Sequence, residues 1–140
     1  MGGIVMTEIK TDLSQEQIQQ AKENMNYIKE KIIVKNDSGK YEVDSQELNN
    51  SPFSDEEKKA ISNFAEFMNE SEGVQLQANA FTRCIQDALD IGKSMANEVA
   101  NEVEKGNWLA AGGKLAAAGV FAHPAAAFTF FMTCGATPVE

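Results

Sequence analysis

Residues 115–134 read LAAAGVFAHPAAAFTFFMTC, twenty consecutive positions with no formal charge when His123 is neutral. His123-Pro124 interrupts the run, and proline suits the first turn of a new helix, where its missing N–H would have had no partner anyway. The stretch therefore predicts one helix ending near Ala122 and a second running from Pro124 to Thr133, with Gly135 as the stop. So apolar a segment has two destinations: the interior of a helical bundle, or lipid. Twenty residues is about the length of a bilayer-spanning helix, but alanine contributes little to insertion and the His-Pro pair stands in the middle. Gly112, Gly113, Ala116, Gly119 and Ala125 to Ala127 are small enough for close helix packing or oligomerisation.

Upstream, Gly106-Asn107-Trp108 reads as a turn, with Gly106 ending one helix and Asn107 capping the next. Trp108 fits either an interfacial anchor or a core residue. Phe81, Cys84/Ile85, Ala88/Leu89, Met95, Val99 and Val103 recur at helical spacing, predicting one long helix over about 75–105. Gly92 would lie within it, weakening the helix or permitting close approach. Ser54-Asp55-Glu56-Glu57 is a capping box, followed by the apolar face Ala60, Ile61, Phe64, Ala65, Phe67 and Met68.

A first amphipathic helix starts at Leu13-Ser14-Gln15-Glu16-Gln17-Ile18. Ser14 and Gln17 form a capping box there, and Leu13 staples onto Ile18. Its stripe of Ile18, Ala21, Met25, Ile28 and Ile32 ends near Ile33. Between the two amphipathic helices, residues 32–35 and 40–43 flank Asn36-Asp37-Ser38-Gly39 and predict a β-hairpin, which must lean on the helices to be stable. The fold class is mainly α, a helical bundle with a short β-hairpin near 32–44.

Charge is divided unevenly. Residues 1–73 carry 8 Lys+Arg against 15 Asp+Glu, and residues 74–140 carry 4 against 6. From Gly106 onward only Lys114 and Glu140 are charged. The pattern divides the chain into an acidic helical head, 7–73, and an apolar unit, 74–140. A net charge of −9 opposes nucleic-acid binding, which needs cations to displace phosphate counterions. No apolar run suits a signal peptide, so the expected compartment is either the cytoplasm or, after removal of a signal, the exterior.

No constellation points to an enzyme, a cofactor or a metal. His123 with Cys84 and Cys134 lacks a fourth zinc ligand and a zinc spacing. A Cys–His nucleophilic pair lacks an orienting third group. Asp55, Glu56 and Glu57 are explained by the helix dipole. Asp87 and Asp90 share a helix face as a solvated pair. Asp37-Ser38-Gly39 is short of calcium ligands, and Gly112-Gly113-Lys114 lacks the remaining phosphate-loop residues. Cys84 and Cys134 permit either one bridge or two buried thiols.

Phe81-Thr82-Arg83-Cys84, Asp87 to Gly92, Gly106-Asn107-Trp108, Lys114-Leu115-Ala116 with Gly119, and Phe131-Met132-Thr133-Cys134-Gly135 together resemble the C-terminal region of small exported, bacteriocin-like proteins of Gram-positive bacteria. The acidic head, with residues 13–33 followed by Lys40-Tyr41-Glu42-Val43-Asp44, resembles the head segments of such precursors. The resemblance implies export, a Cys84–Cys134 disulfide and antibacterial action. Trp108, Leu109, Leu115, Val120, Phe121, Phe128, Phe130 and Phe131 are on this reading the residues active on a bacterial membrane and otherwise the core, with Gly106, His123 and Pro124 as turns or hinges. Membrane action is expected with or without cleavage near 70–74 or 105–108. The competing reading is a soluble immunity, anti-toxin or regulatory module. Its acidic face (Asp55, Glu56, Glu57, Glu66, Glu70, Glu72) would meet a basic protein partner.

Overall fold

Ser14 decides where the first helix begins. Its hydroxyl accepts the Gln17 N–H at 3.2 Å, and Gln17 Oε1 accepts the Ser14 N–H at 2.8 Å. Two backbone donors that a helix start leaves orphaned, or exposed just before it, are thereby satisfied. Helix α1 (Gln15–Tyr27) continues into a π-helical turn, Ile28–Ile32, and then strand β2 (Ile33–Lys35). The wider turn brings Ile28, Ile32 and Ile33 all to the inside. The computed structural model describes residues 8–70, 80–121 and 123–139.

β2 pairs antiparallel with β3 (Tyr41–Val43), Ile33 opposite Val43 and Lys35 opposite Tyr41. Asn36 Oδ1 shapes the turn by accepting the Ser38 and Lys40 N–H groups, and Gly39 takes φ +83°. The hairpin does lean on a helix. Asn69, on α3 (Asp55–Glu70), accepts the Tyr41 N–H at 2.7 Å and donates to the Tyr41 carbonyl at 2.9 Å, as a third strand would. Between β3 and α3 lies α2 (Ser45–Asn50), which the hydrophobic pattern does not announce because it buries no residue. Its signal is the cap: Asp44 Oδ1 accepts from Gln46 and Glu47. Tyr27 stands against this helix. Its hydroxyl donates to Glu47 at 3.3 Å, and desolvation, with the neighbouring carboxylate, raises its pKa above the ordinary phenol value.

The predicted long helix over 75–105 is two helices, α4 (Ala80–Leu89) and α5 (Lys93–Glu104). Asp90 takes φ +55°, and the Ile91 N–H reaches back to the Gln86 carbonyl at 3.2 Å, closing α4. Asn63 of α3 donates to the Ala88 carbonyl near the same end. Gly92 is the N-cap of α5 rather than a mid-helix residue, and a Cβ there would meet nothing within 4 Å. The stripe reads the same through the break because both helices bury that face, on two different axes.

α6 (Trp108–Ala117) ends five residues earlier than the sequence suggests, at Gly119 with φ +81°. α7 (Pro124–Thr133) matches its prediction, with Pro in the first turn. β4 (Thr137–Val139) follows and pairs in parallel with β1 (Glu8–Lys10), Glu8 opposite Thr137 and Lys10 opposite Val139. Three-residue strands carry no period, so nothing in the sequence marked this pair. The described residues form a bundle dominated by helices, with a short hairpin at β2–β3. The buried apolar residues form one cluster drawn from both halves, Ile28, Ile32, Ile61 and Phe64 meeting Ile85, Val99, Trp108 and Phe131.

Candidate functional site

In the weakly charged hairpin α6–α7, α7 packs against α1, α4 and α6, while α6 packs against α5 and α7 and keeps one face open to solvent. The two helices contain a single charged residue, Lys114, whose ammonium sits 3.6 Å from Glu98 on α5. Phe131 is the hub of the aromatic packing. Trp108 meets it edge-on at 5.5 Å between ring centroids, while Phe81 and Phe128 lie tilted at 6.3 and 6.4 Å. Phe121 stacks on Phe130 at 5.7 Å. The indole N–H of Trp108 donates to the Val103 carbonyl at 3.2 Å, so the largest core side chain buries no unpaired donor.

Of the residues expected either to meet lipid or to fill the core, Trp108, Leu115, Phe121, Phe128, Phe130 and Phe131 are buried and Val120 is half-buried. Leu109 stands apart at 46% exposure. α1 lies along α7, with Asn24 of α1 donating to Thr129 at 3.4 Å. Thr133 donates to the Thr129 carbonyl at 2.7 Å, which lets both hydroxyls sit inside. Among the described residues no helix is long and apolar enough to cross a membrane.

Cys84 on α4 and Cys134 at the end of α7 are bridged, with Cα atoms 5.7 Å apart. Of the two sequence alternatives the bridge is the one realised. It ties the last helix of the hairpin to α4 across 50 residues. Both sulfurs are committed, so the metal and nucleophile combinations with His123 do not assemble, and His123 itself is exposed. No group of three or more His, Cys, Asp or Glu is arranged for a metal ion among the described residues.

Asn107 occupies the N-cap position of α6 as expected, yet its side chain does not cap the helix, nor does that of His123 at the N-cap position of α7. Asn107 donates instead to Glu102 at 3.1 Å. The cap on α6 comes from far away in sequence. Asp12 Oδ1 accepts the Trp108 N–H at 3.1 Å and the Leu109 N–H at 3.2 Å. Asp12 is the residue that sequence reasoning missed, because a partner 96 positions distant leaves no local spacing to read. Its backbone N–H also donates to the Gly106 carbonyl at 3.1 Å. Gly106 is buried at φ +86°, and a Cβ there would overlap the Lys10 carbonyl oxygen. Processing near 105–108 would thus fall on packed backbone, while residues 71–74 lie outside those described.

A cleft of about 780 Å³ opens where the starts of α1, α3 and α7 converge, bordered by Gln17, Gln20, Asn24, Glu57, His123 and Phe128. A second groove of about 400 Å³ runs between α3 and α4, where Glu66, Glu70, Asp87 and Asp90 crowd beside Asn63 and Gln86. Asp55, Glu56 and Glu57 sit in the first turn of α3, at the opposite end of that helix from Glu66 and Glu70. Glu72 lies outside the described residues. No family model matches the chain, and comparison with curated proteins and with solved structures gives no match.

Proposed function

We propose that this chain is a bacteriocin-like toxin, or the precursor of one, that acts on bacterial membranes through the α6–α7 hairpin. The observation that carries this reading is a nearly charge-free hairpin whose second helix, α7, is covered by the amphipathic helix α1. A bundle interior needs apolar side chains only on its inward faces. Here the outward positions Leu109, Ala110, Ala117 and Ala118 are uncharged as well. A hairpin without charge on any face but Lys114 crosses from water to lipid at lower cost than an amphipathic one. The Cys84–Cys134 bridge is in keeping with an oxidising, extracytoplasmic destination.

The helices set the mode of action. Ten residues of α6 or α7 extend about 15 Å, half of a hydrocarbon core of about 30 Å. The hairpin therefore seats at the interface or assembles with other copies, instead of spanning as one helix. α1 must part from α7 first.

A second reading is favoured by the groove lined by Glu66, Glu70, Asp87 and Asp90: a soluble module that binds a basic protein. One experiment separates the two. Full-length protein is added to dye-loaded vesicles of phosphatidylcholine, with and without phosphatidylglycerol. Release above a buffer control is expected. Silence on every composition, with salt-sensitive retention of a basic protein partner, would favour the module instead.

A further inference from the structure

We propose that the N-terminal segment from β1 to Asp12 is an autoinhibitory latch that holds both ends of the apolar hairpin. The proposal rests on the membrane-directed reading and specifies how the hairpin is restrained. Five consecutive residues make every contact involved. β1 pairs along β4, just beyond the end of α7. The Lys10 carbonyl fills the space where Gly106 lacks a side chain. Asp12 donates its backbone N–H to Gly106 and accepts the first two N–H groups of α6.

In the folded protein α6 takes its cap from Asp12 and not from its own N-cap residue. Its own N-cap residue is turned away to Glu102, and its first turn contains no acidic residue. A helix start without a cap leaves orphan donors and an uncompensated positive end, so departure of Asp12 frays α6 at Trp108. Withdrawal of β1 unpairs β4 at the other end. The latch thus controls both ends of the hairpin from outside it, while the Cys84–Cys134 bridge keeps α7 tethered to α4 during opening.

Trp108 is the only tryptophan in the chain and is fully buried at the latch, which makes it a reporter of opening. The test compares the full-length protein with Asp12→Ala and with Asp12→Asn, which keeps an accepting oxygen and loses the charge. Three quantities are measured on each: acrylamide quenching and amide exchange at Trp108, global stability in urea, and dye release from vesicles of equal parts phosphatidylcholine and phosphatidylglycerol. For Asp12→Ala, Trp108 opening rises about fivefold, the change that loss of one helix cap produces in an opening equilibrium. This opening is expected to be insensitive to low urea, and Asp12→Asn falls between. Dye release rises in step.

Opening that increases without any release, in parent and variants alike, upholds the latch and counts against the membrane reading. Release that is equal in all three proteins, with Trp108 opening unchanged, overturns the latch and leaves the membrane reading standing. Opening that appears only through global unfolding, in Asp12→Asn as well as Asp12→Ala, also overturns the latch.

Discussion

Among the described residues, four helices close on a residue with positive φ: Asp90 at 55°, Gly106 at 86°, Gly119 at 81° and Gly135 at 118°. In each case the next N–H reaches back five residues to a helix carbonyl, so the same hydrogen-bonded stop is used four times. Only at Asp90 does a side chain occupy the left-handed conformation, at a cost of about 1–2 kcal/mol. Its ion pair with Lys59, 3.8 Å apart and solvent-exposed, offsets at most about 1 kcal/mol. Asp90→Gly is therefore expected to raise the urea midpoint by the equivalent of about 0.5 kcal/mol, after the greater freedom of glycine in the unfolded chain is counted. Gly106→Ala is the contrasting case. It adds left-handed strain and a clash with the backbone at Lys10, and a loss of about 2 kcal/mol or more is expected. Equal stability of Gly106→Ala and the parent would rule out the close approach of the two segments.

The β2–β3 hairpin shows how an element too small to stand alone is held. Three-residue strands are marginal in water. Asn69 supplies a bidentate edge to Tyr41, and Lys35 lies over the Tyr41 ring at 5.5 Å from its centroid. Asn69→Ala leaves a partly buried N–H and C=O without their partner, an expected loss of about 1–2 kcal/mol. Exchange of the Tyr41 amide should accelerate well beyond that of amides in α1. Uniform acceleration across the chain would mean that the hairpin does not open by itself. The same logic applies to α6, which takes its cap from Asp12. Elements with weak local signals are completed by single polar side chains reaching in from elsewhere.

At the scale of the whole molecule, the disulfide and the shared core determine cooperativity. Closing a 50-residue loop stabilises by about 4 kcal/mol in the chain-entropy model. The double variant Cys84→Ala/Cys134→Ala is expected to lose about that much in urea unfolding. Because buried residues of both halves form one cluster, Trp108 fluorescence and far-UV circular dichroism should report a single coincident transition in the parent protein. Two separated transitions would mean that the acidic head and the apolar unit fold as independent domains.

Much of this architecture was legible in the residues themselves. Ser14 with Gln17 and Ser54 with Glu57 mark helix starts that the structure reproduces to the hydrogen bond, because capping boxes are local and depend only on spacing. Asn36 to Gly39 announces the hairpin turn, and Pro124 the start of α7, for the same reason. The near absence of charge from α6 and α7, Lys114 excepted, is likewise a property of sequence. What the residues left open were matters of distance across the chain. Whether 75–105 forms one helix or two turned on a single φ at Asp90, which the apolar stripe does not record. Whether the two cysteines bridge, whether Phe128 to Phe131 face inward, and which residue caps α6 all depended on segments 50 to 105 positions apart coming together. Hydrophobic burial brings such segments into contact without requiring any fixed spacing between them, so only the folded chain could decide those pairings.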